Sequence, residues 1–167
     1  MTLTDLAKKY GTDKLEHGYM PFYEQHLPKN PLRILEIGVK EGKSMRMWRE
    51  YFPDAQLHGL DLFIEYPPPE DVPGVVWHTG NQIDYLMLDM LRHQQFDVII
   101  DDGSHNSRDQ MMTFFGLMHE TCNYFIEDLQ CCLEPFYQQG LPFRFTAINN
   151  ITNAIHDTNS PIMLVRC

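Results

Sequence analysis

Two short apolar runs pass directly into acidic residues: Val98-Ile99-Ile100 leads into Asp101-Asp102-Gly103-Ser104-His105, and Tyr124-Phe125-Ile126 leads into Glu127-Asp128. Runs this short and this apolar suit strands buried on both faces of a parallel sheet, whose C-terminal ends open onto a binding crevice. Neighbouring strands of that kind would bring several carboxylates and one imidazole to a single rim. Clustered negative charge at a dry strand end is costly unless a cation or a positively charged ligand offsets it. The pattern therefore points to a hard-cation site with a histidine beside it.

The rest of the chain supplies the sheet. Leu32 to Ile37, Gln56 to Leu62, Val75 to Trp77, Phe96 to Ile100 and Asn123 to Ile126 read as strands. Helical patterns separate them: Lys43 to Tyr51 with Met45, Trp48 and Phe52 in register, Ile83 to His93 with Leu86, Met87, Met90 and Leu91 on one face, and Arg108 to His119. Thr2 to Tyr10 reads as a short helix, with Thr2 as cap, Asp5 at the capping-box position and Gly11 as its stop. A second short helix is expected around Pro21 to His26. The βαβαβαβαβ order calls for a Rossmann-like α/β fold: a right-handed, doubly wound, mostly parallel sheet with helices on both faces. Phe143 to Ile148 and Ile162 to Val165 are expected to form a C-terminal antiparallel hairpin closing one edge. Residues 1–30 are read as an N-terminal helical segment and 31–167 as the core of a single-domain chain.

The formal net charge of -10 and pI near 5.1 argue against nucleic acid as a partner. There is no apolar run long enough for a membrane span and no signal-peptide pattern, so a cytoplasmic protein is expected. Cys122, Cys131, Cys132 and Cys167 lack CxxC spacing, which counts against a zinc site and is consistent with reduced thiols.

The first strand runs into Glu36-Ile37-Gly38-Val39-Lys40-Glu41-Gly42-Lys43-Ser44. Its G-x-x-x-G spacing is not the dinucleotide fingerprint, which disfavours an NAD oxidoreductase. Gly38 would allow close backbone approach to a ligand, and Gly42 would open the helix with no side chain in the way. Such a pair also occurs in ordinary strand-to-helix turns. Asp61 ends the second strand about where a ribose-binding carboxylate belongs, or else serves as a loop acid. Asn81 and Gln82 follow the third strand, where they suit either an adenine edge or the cap of the next helix. All of these fall at crevice-facing strand ends, and together they favour a nucleoside ligand.

On the acidic rim, Asp102, Glu127 and Asp128 fit Mg2+, which takes oxygen ligands and keeps several waters. His105, left uncoordinated, suits a general base. The competing readings are a Gly-Ser turn with helix-capping acids, or a metal-dependent hydrolase. A hydrolase has no need of a nucleoside pocket.

With these residues the chain resembles class I S-adenosylmethionine-dependent methyltransferases, in particular the metal-dependent sugar O-methyltransferases of macrolide and tetracenomycin biosynthesis, and more loosely cephalosporin-hydroxylase-type proteins. The resemblance is carried by Lys9-Tyr10-Gly11-Thr12-Asp13-Lys14 with His17 and Tyr19, Glu36-Ile37-Gly38, Gly59-Leu60-Asp61, Gly80-Asn81-Gln82, the Asp97 to His105 segment and Ile126-Glu127-Asp128-Leu129. It implies a methyl-donor pocket built from Glu36, Gly38, Gly42 and Ser44, with Asp61, Asn81, Gln82 and Asp101. Thr12, Lys14 and Tyr19 would belong to a lid over the cofactor. It further implies Mg2+ on Asp102, Glu127 and Asp128, His105 as base, and a small or glycosylated hydroxyl acceptor. A homo-oligomer that completes the acceptor site is a further expectation. The alternative within this family is a catalytically silent S-adenosylmethionine-binding protein.

Overall fold

The computed structural model describes residues 1–128, 144–149 and 162–166. Helix α1 spans Leu3–Tyr10, and a single 3-10 turn, Asp13–Leu15, leads to α2 at Met20–His26. Alternating elements follow: β1 (Arg33–Ile37), α3 (Lys43–Tyr51), β2 (Gln56–Asp61), β3 (Val75–Thr79), α4 (Tyr85–Arg92), β4 (Val98–Asp101), α5 (Ser107–Leu117) and β5 (Asn123–Ile126). The C-terminal strands are β6 (Arg144–Asn149) and β7 (Ile162–Arg166). The expected capping box forms: Thr2 Oγ1 accepts from the Asp5 amide while Asp5 accepts from the Thr2 amide, and Gly11 ends α1 in the left-handed region.

The sheet order is β3-β2-β1-β4-β5-β7-β6. The first five strands are parallel, and β7 runs antiparallel to both β5 and β6. The expected hairpin is present, but its second strand lies inside the sheet. It pairs with β5 on one side and β6 on the other, and Ile162, Met163, Leu164 and Val165 are all buried, as an unbroken apolar run covered on both faces requires. The strand order reverses between β1 and β4, so the crevice lies beyond their C-terminal ends.

Alternation of side chains with period two assigns each strand residue to a face. Ile34, Leu57, Val98, Ile100 and Phe125 pack against α1, α2 and α3, around Trp48 and Tyr23. Leu35, Ile37, Leu60, Ile99, Tyr124 and Ile126 pack against α4 and α5, around Phe114 and Leu117. Residues 3–23 thus share one core with α3. The α4 face differs from expectation. Leu88 and Leu91 are buried, while Leu86 and Met90 are exposed. The helix begins later than its pattern suggests, at Tyr85, capped by Asp84 accepting from Met87 N, and Gly116 of α5 leaves room for Leu88. Asp84, not Asn81 or Gln82, is therefore the helix cap. No helix among the described residues is long and apolar enough to cross a membrane.

Candidate active site

Gly38 sits at the strand-order reversal with φ +85°, a conformation that favours glycine. A β-carbon there would lie 1.9 Å from the Asp102 carbonyl oxygen. The Asp102 backbone thus occupies the space that a side chain at position 38 would need. Asp61 shapes the same loop, its Oδ2 accepting from the amides of Val39 and Lys40 at 2.7 and 2.8 Å. Gly42 caps α3 in the left-handed region and accommodates Pro69.

The period-two alternation also sorts the acids. Glu36, Asp102 and Glu127 turn toward the face covered by the N-terminal helices, and Asp101 toward the opposite one. Lys14 stands at the centre of the first group, 1% exposed. Its Nζ lies 2.5 Å from Asp102 Oδ2, 2.8 Å from Glu127 Oε2 and 3.4 Å from Glu36 Oε1. Burial works against this ammonium, but the three carboxylates outweigh it and raise its pKa well above the ordinary lysine value. Tyr23 Oη donates to the other Glu127 oxygen, and Ser44 Oγ donates to Glu36 Oε2 at 2.9 Å. Burial still raises Glu127 well above the usual carboxylate range and Glu36 to about 6. Asp102 goes the other way: Lys14 and His105 overcome its burial and lower it.

On the cavity side, His105 Nε2 lies 3.1 Å from Asp102 Oδ1 and 3.6 Å from Asp128 Oδ2. Its hydrogen bond to Asp102 raises the imidazole pKa. Donor atoms of Asp102, His105 and Asp128 all lie within 4.8 Å of one another, the only such cluster among the described residues. Oxygen ligands of one hard divalent cation, at about 2.0–2.6 Å from it, span this range, so two carboxylates here fit such an ion. His105 and Asp128 both have left-handed backbones, φ 55° and 49°, although neither is glycine. Strain of this kind, on the order of 1–3 kcal/mol each, concentrates at functional sites.

A single cavity of about 780 Å³ joins the two halves of the site. Of the sequence-predicted residues, Thr12, Gly38, Ser44, Asp61, Asn81, Gln82, Asp102, His105, Glu127 and Asp128 line it. Lys14, Tyr19, Glu36, Gly42 and Asp101 lie behind its wall. Asp101, fully buried, is held by Tyr124 Oη and Gln82 Nε2 and faces α5, so the period-two side choice removes it from the cavity. The Gln82 side chain is likewise committed, accepting from Ser104 N and donating toward Thr113. Tyr23 was not anticipated; its partner Glu127 is far away in sequence, and only the packing of α2 on β5 joins them.

The sheet order, the crevice at its reversal and the joined cavity define the class I methyltransferase fold. No protein-family model matches the chain. Over 147 residues it is 33% identical to 8-demethyl-8-(2-methoxy-alpha-L-rhamnosyl)-tetracenomycin-C 3'-O-methyltransferase of Streptomyces olivaceus, covering 79% of this chain and 38% of that protein. It is 31% identical to mycinamicin VI 2''-O-methyltransferase of Micromonospora griseorubida, covering 76% of this chain and 36% of that one. The chain is a homologue of these sugar O-methyltransferases and spans less than two-fifths of their length. In structure it is similar to the MycE methyltransferase of the mycinamycin pathway, solved in complex with Mg, SAH and mycinamycin VI. The match has a TM-score of 0.72 at 23% identity and covers 99% of this chain and 55% of that one.

Proposed function

We propose that this chain is an S-adenosylmethionine-dependent O-methyltransferase acting on a hydroxyl of a small glycosylated molecule, with Mg2+ at the acidic rim. The observation that carries this reading is the joined cavity, which has the Gly38 loop, Asp61 and Asn81 at one end and Asp102, His105 and Asp128 at the other. The sugar O-methyltransferase homologues support the reaction class, and the Mg and SAH of the MycE structure support the cofactor pair.

Asp102 and Asp128 are assigned to the cation, each offering an oxygen beside His105; Glu127, the third expected ligand, has one oxygen engaged by Lys14 and the other by Tyr23, and it backs the site instead. When bound, Mg2+ supplies Lewis-acid stabilisation of a developing alkoxide, and the donor supplies a methyl carbon on a good leaving group. The chain's own contribution is a base and a fixed geometry. With Nε2–H donated to Asp102 Oδ1, His105 takes the hydroxyl proton at its other ring nitrogen, Nδ1, and Asp102 orients the ring and stabilises the imidazolium that results. The cavity walls align acceptor oxygen, methyl carbon and sulfur. Thr12 and the turn that follows it close the donor end as a lid segment.

Calorimetric titration with S-adenosylmethionine and its demethylated product, with and without Mg2+, tests the reading. Binding of both, followed by methyl transfer to rhamnosylated polyketide or macrolide acceptors, is expected. Absence of binding to either nucleoside would sink it.

A further inference from the structure

The two carboxylates that face the candidate cation position are held in the same manner. Each turns one oxygen to the cavity and gives the other to the N-terminal segment. Asp102 presents Oδ1 toward His105 and gives Oδ2 to Lys14 Nζ. Asp128 presents Oδ2 toward His105 and gives Oδ1 to Tyr19 Oη at 2.8 Å, with His17 Nδ1 3.5 Å from the same oxygen. Tyr19 does more than accept this orientation. Its hydroxyl also accepts from the Asp128 backbone amide at 3.3 Å. One buried phenol thus holds both the side chain and the main chain of a residue kept at φ 49°.

We infer that Tyr19 is a positioning residue for cation binding: its hydroxyl fixes the strained Asp128 so that Oδ2 faces the cation position. This assigns Tyr19 a role other than covering the methyl donor, which is consistent with its absence from the cavity wall. The inference rests on the proposed cation site. Partners that orient a ligand from behind typically account for 10–100-fold in metal affinity. Tyr19→Phe removes one oxygen and keeps the ring that packs against His17 and the α2–α3 core.

The test is Mn2+ binding to the full chain, followed by loss of the free-ion electron paramagnetic resonance signal, beside donor-product binding measured without metal. Tyr19→Phe is expected to weaken Mn2+ about tenfold or more while SAH affinity stays within about twofold. A merely structural role would lower the unfolding temperature and leave the Mn2+ affinity unchanged. His17→Gln, which loosens the same Asp128 oxygen from a half-exposed position, is expected to weaken Mn2+ by a few-fold and serves if Tyr19→Phe does not fold. Mn2+ affinity within twofold of wild type in the folded variants would overturn the inference. If wild type itself binds SAH but no Mn2+, the cation reading and this inference fall together while the methyltransferase reading stands.

Discussion

Gly38 and Asp102 meet backbone to backbone at the centre of the sheet. The Asp102 amide donates to the Ile37 carbonyl at 2.9 Å, and no β-carbon fits at position 38 beneath the Asp102 carbonyl. The loop assigned to the methyl donor and the acidic rim are therefore one rigid unit. Gly38→Ala combines a clash with backbone atoms and a φ of +85°. It should destabilise the fold by about 3 kcal/mol or more, through strain plus displacement of the rim. Urea denaturation measures this, and a midpoint close to wild type would show that the two loops are not locked.

His105→Ala removes the group placed to take the acceptor proton and leaves the donor end of the cavity untouched. Turnover should fall by roughly 10²–10⁴-fold, with the calorimetric affinity for S-adenosylmethionine retained. Turnover within about threefold of wild type would assign the base elsewhere.

The pH profile carries a separate signature. The hydrogen bond that His105 donates to Asp102 raises the imidazole pKa above its ordinary value, so without a cation the ring keeps its proton to higher pH than a free histidine. A base must be neutral, so activity should rise with pH through that pKa. A divalent cation on Asp102 and Asp128 offsets the charges that raise it, and the acid limb should move to lower pH as Mg2+ is increased. Profiles of kcat/KM at limiting and saturating Mg2+ measure the displacement. An acid limb indifferent to Mg2+ would separate His105 from the cation site.

Much of this site was legible because strand ends are legible. Short apolar runs fixed the parallel strands, and acids following them had to fall on the crevice. What could not be read was the side on which each acid lies. Asp101 and Asp102 are adjacent in sequence, yet one is sealed under α5 beside Tyr124 and the other borders the cavity. The choice depends on strand register, and a shift of one residue reverses it. Lys14 was equally opaque. A lysine after Gly-Thr-Asp gives no local sign that it will be buried between three carboxylates, two of them far along the chain.

Lys14→Met tests that burial. Removing the ammonium leaves Glu36, Asp102 and Glu127 without their shared counter-ion, a loss of about 3–5 kcal/mol for a buried network. Burial already raises Glu36 and Glu127, so both take up protons readily as pH falls. The penalty should therefore be large at pH 8 and clearly smaller near pH 5, as read from unfolding free energies. An equal penalty at both would mean that the cluster is not organised around the lysine.

Asp101 offers the opposite pH dependence. Burial pushes its carboxyl to about 7, despite donors from Tyr124, Gly103 and Gln82. A carboxyl whose folded pKa exceeds its unfolded value binds more protons folded than unfolded, so stability declines as pH rises from about 4 to about 7. At about 1.4 kcal/mol per unit, this costs on the order of 4 kcal/mol once both states are ionised. Asp101→Asn keeps an oxygen for Gln82 Nε2 and the Gly103 amide. Its new amide group can donate to Tyr124 Oη, a hydroxyl free to switch from donor to acceptor. The variant should lose most of the wild-type decline across that window and equal or exceed wild type at pH 8, with Glu36 contributing the slope that remains. Thermal unfolding across this pH range measures both curves. If the variant falls as steeply as wild type, or is the less stable protein at pH 8, Asp101 is ionised in the fold and its network stabilises the charge.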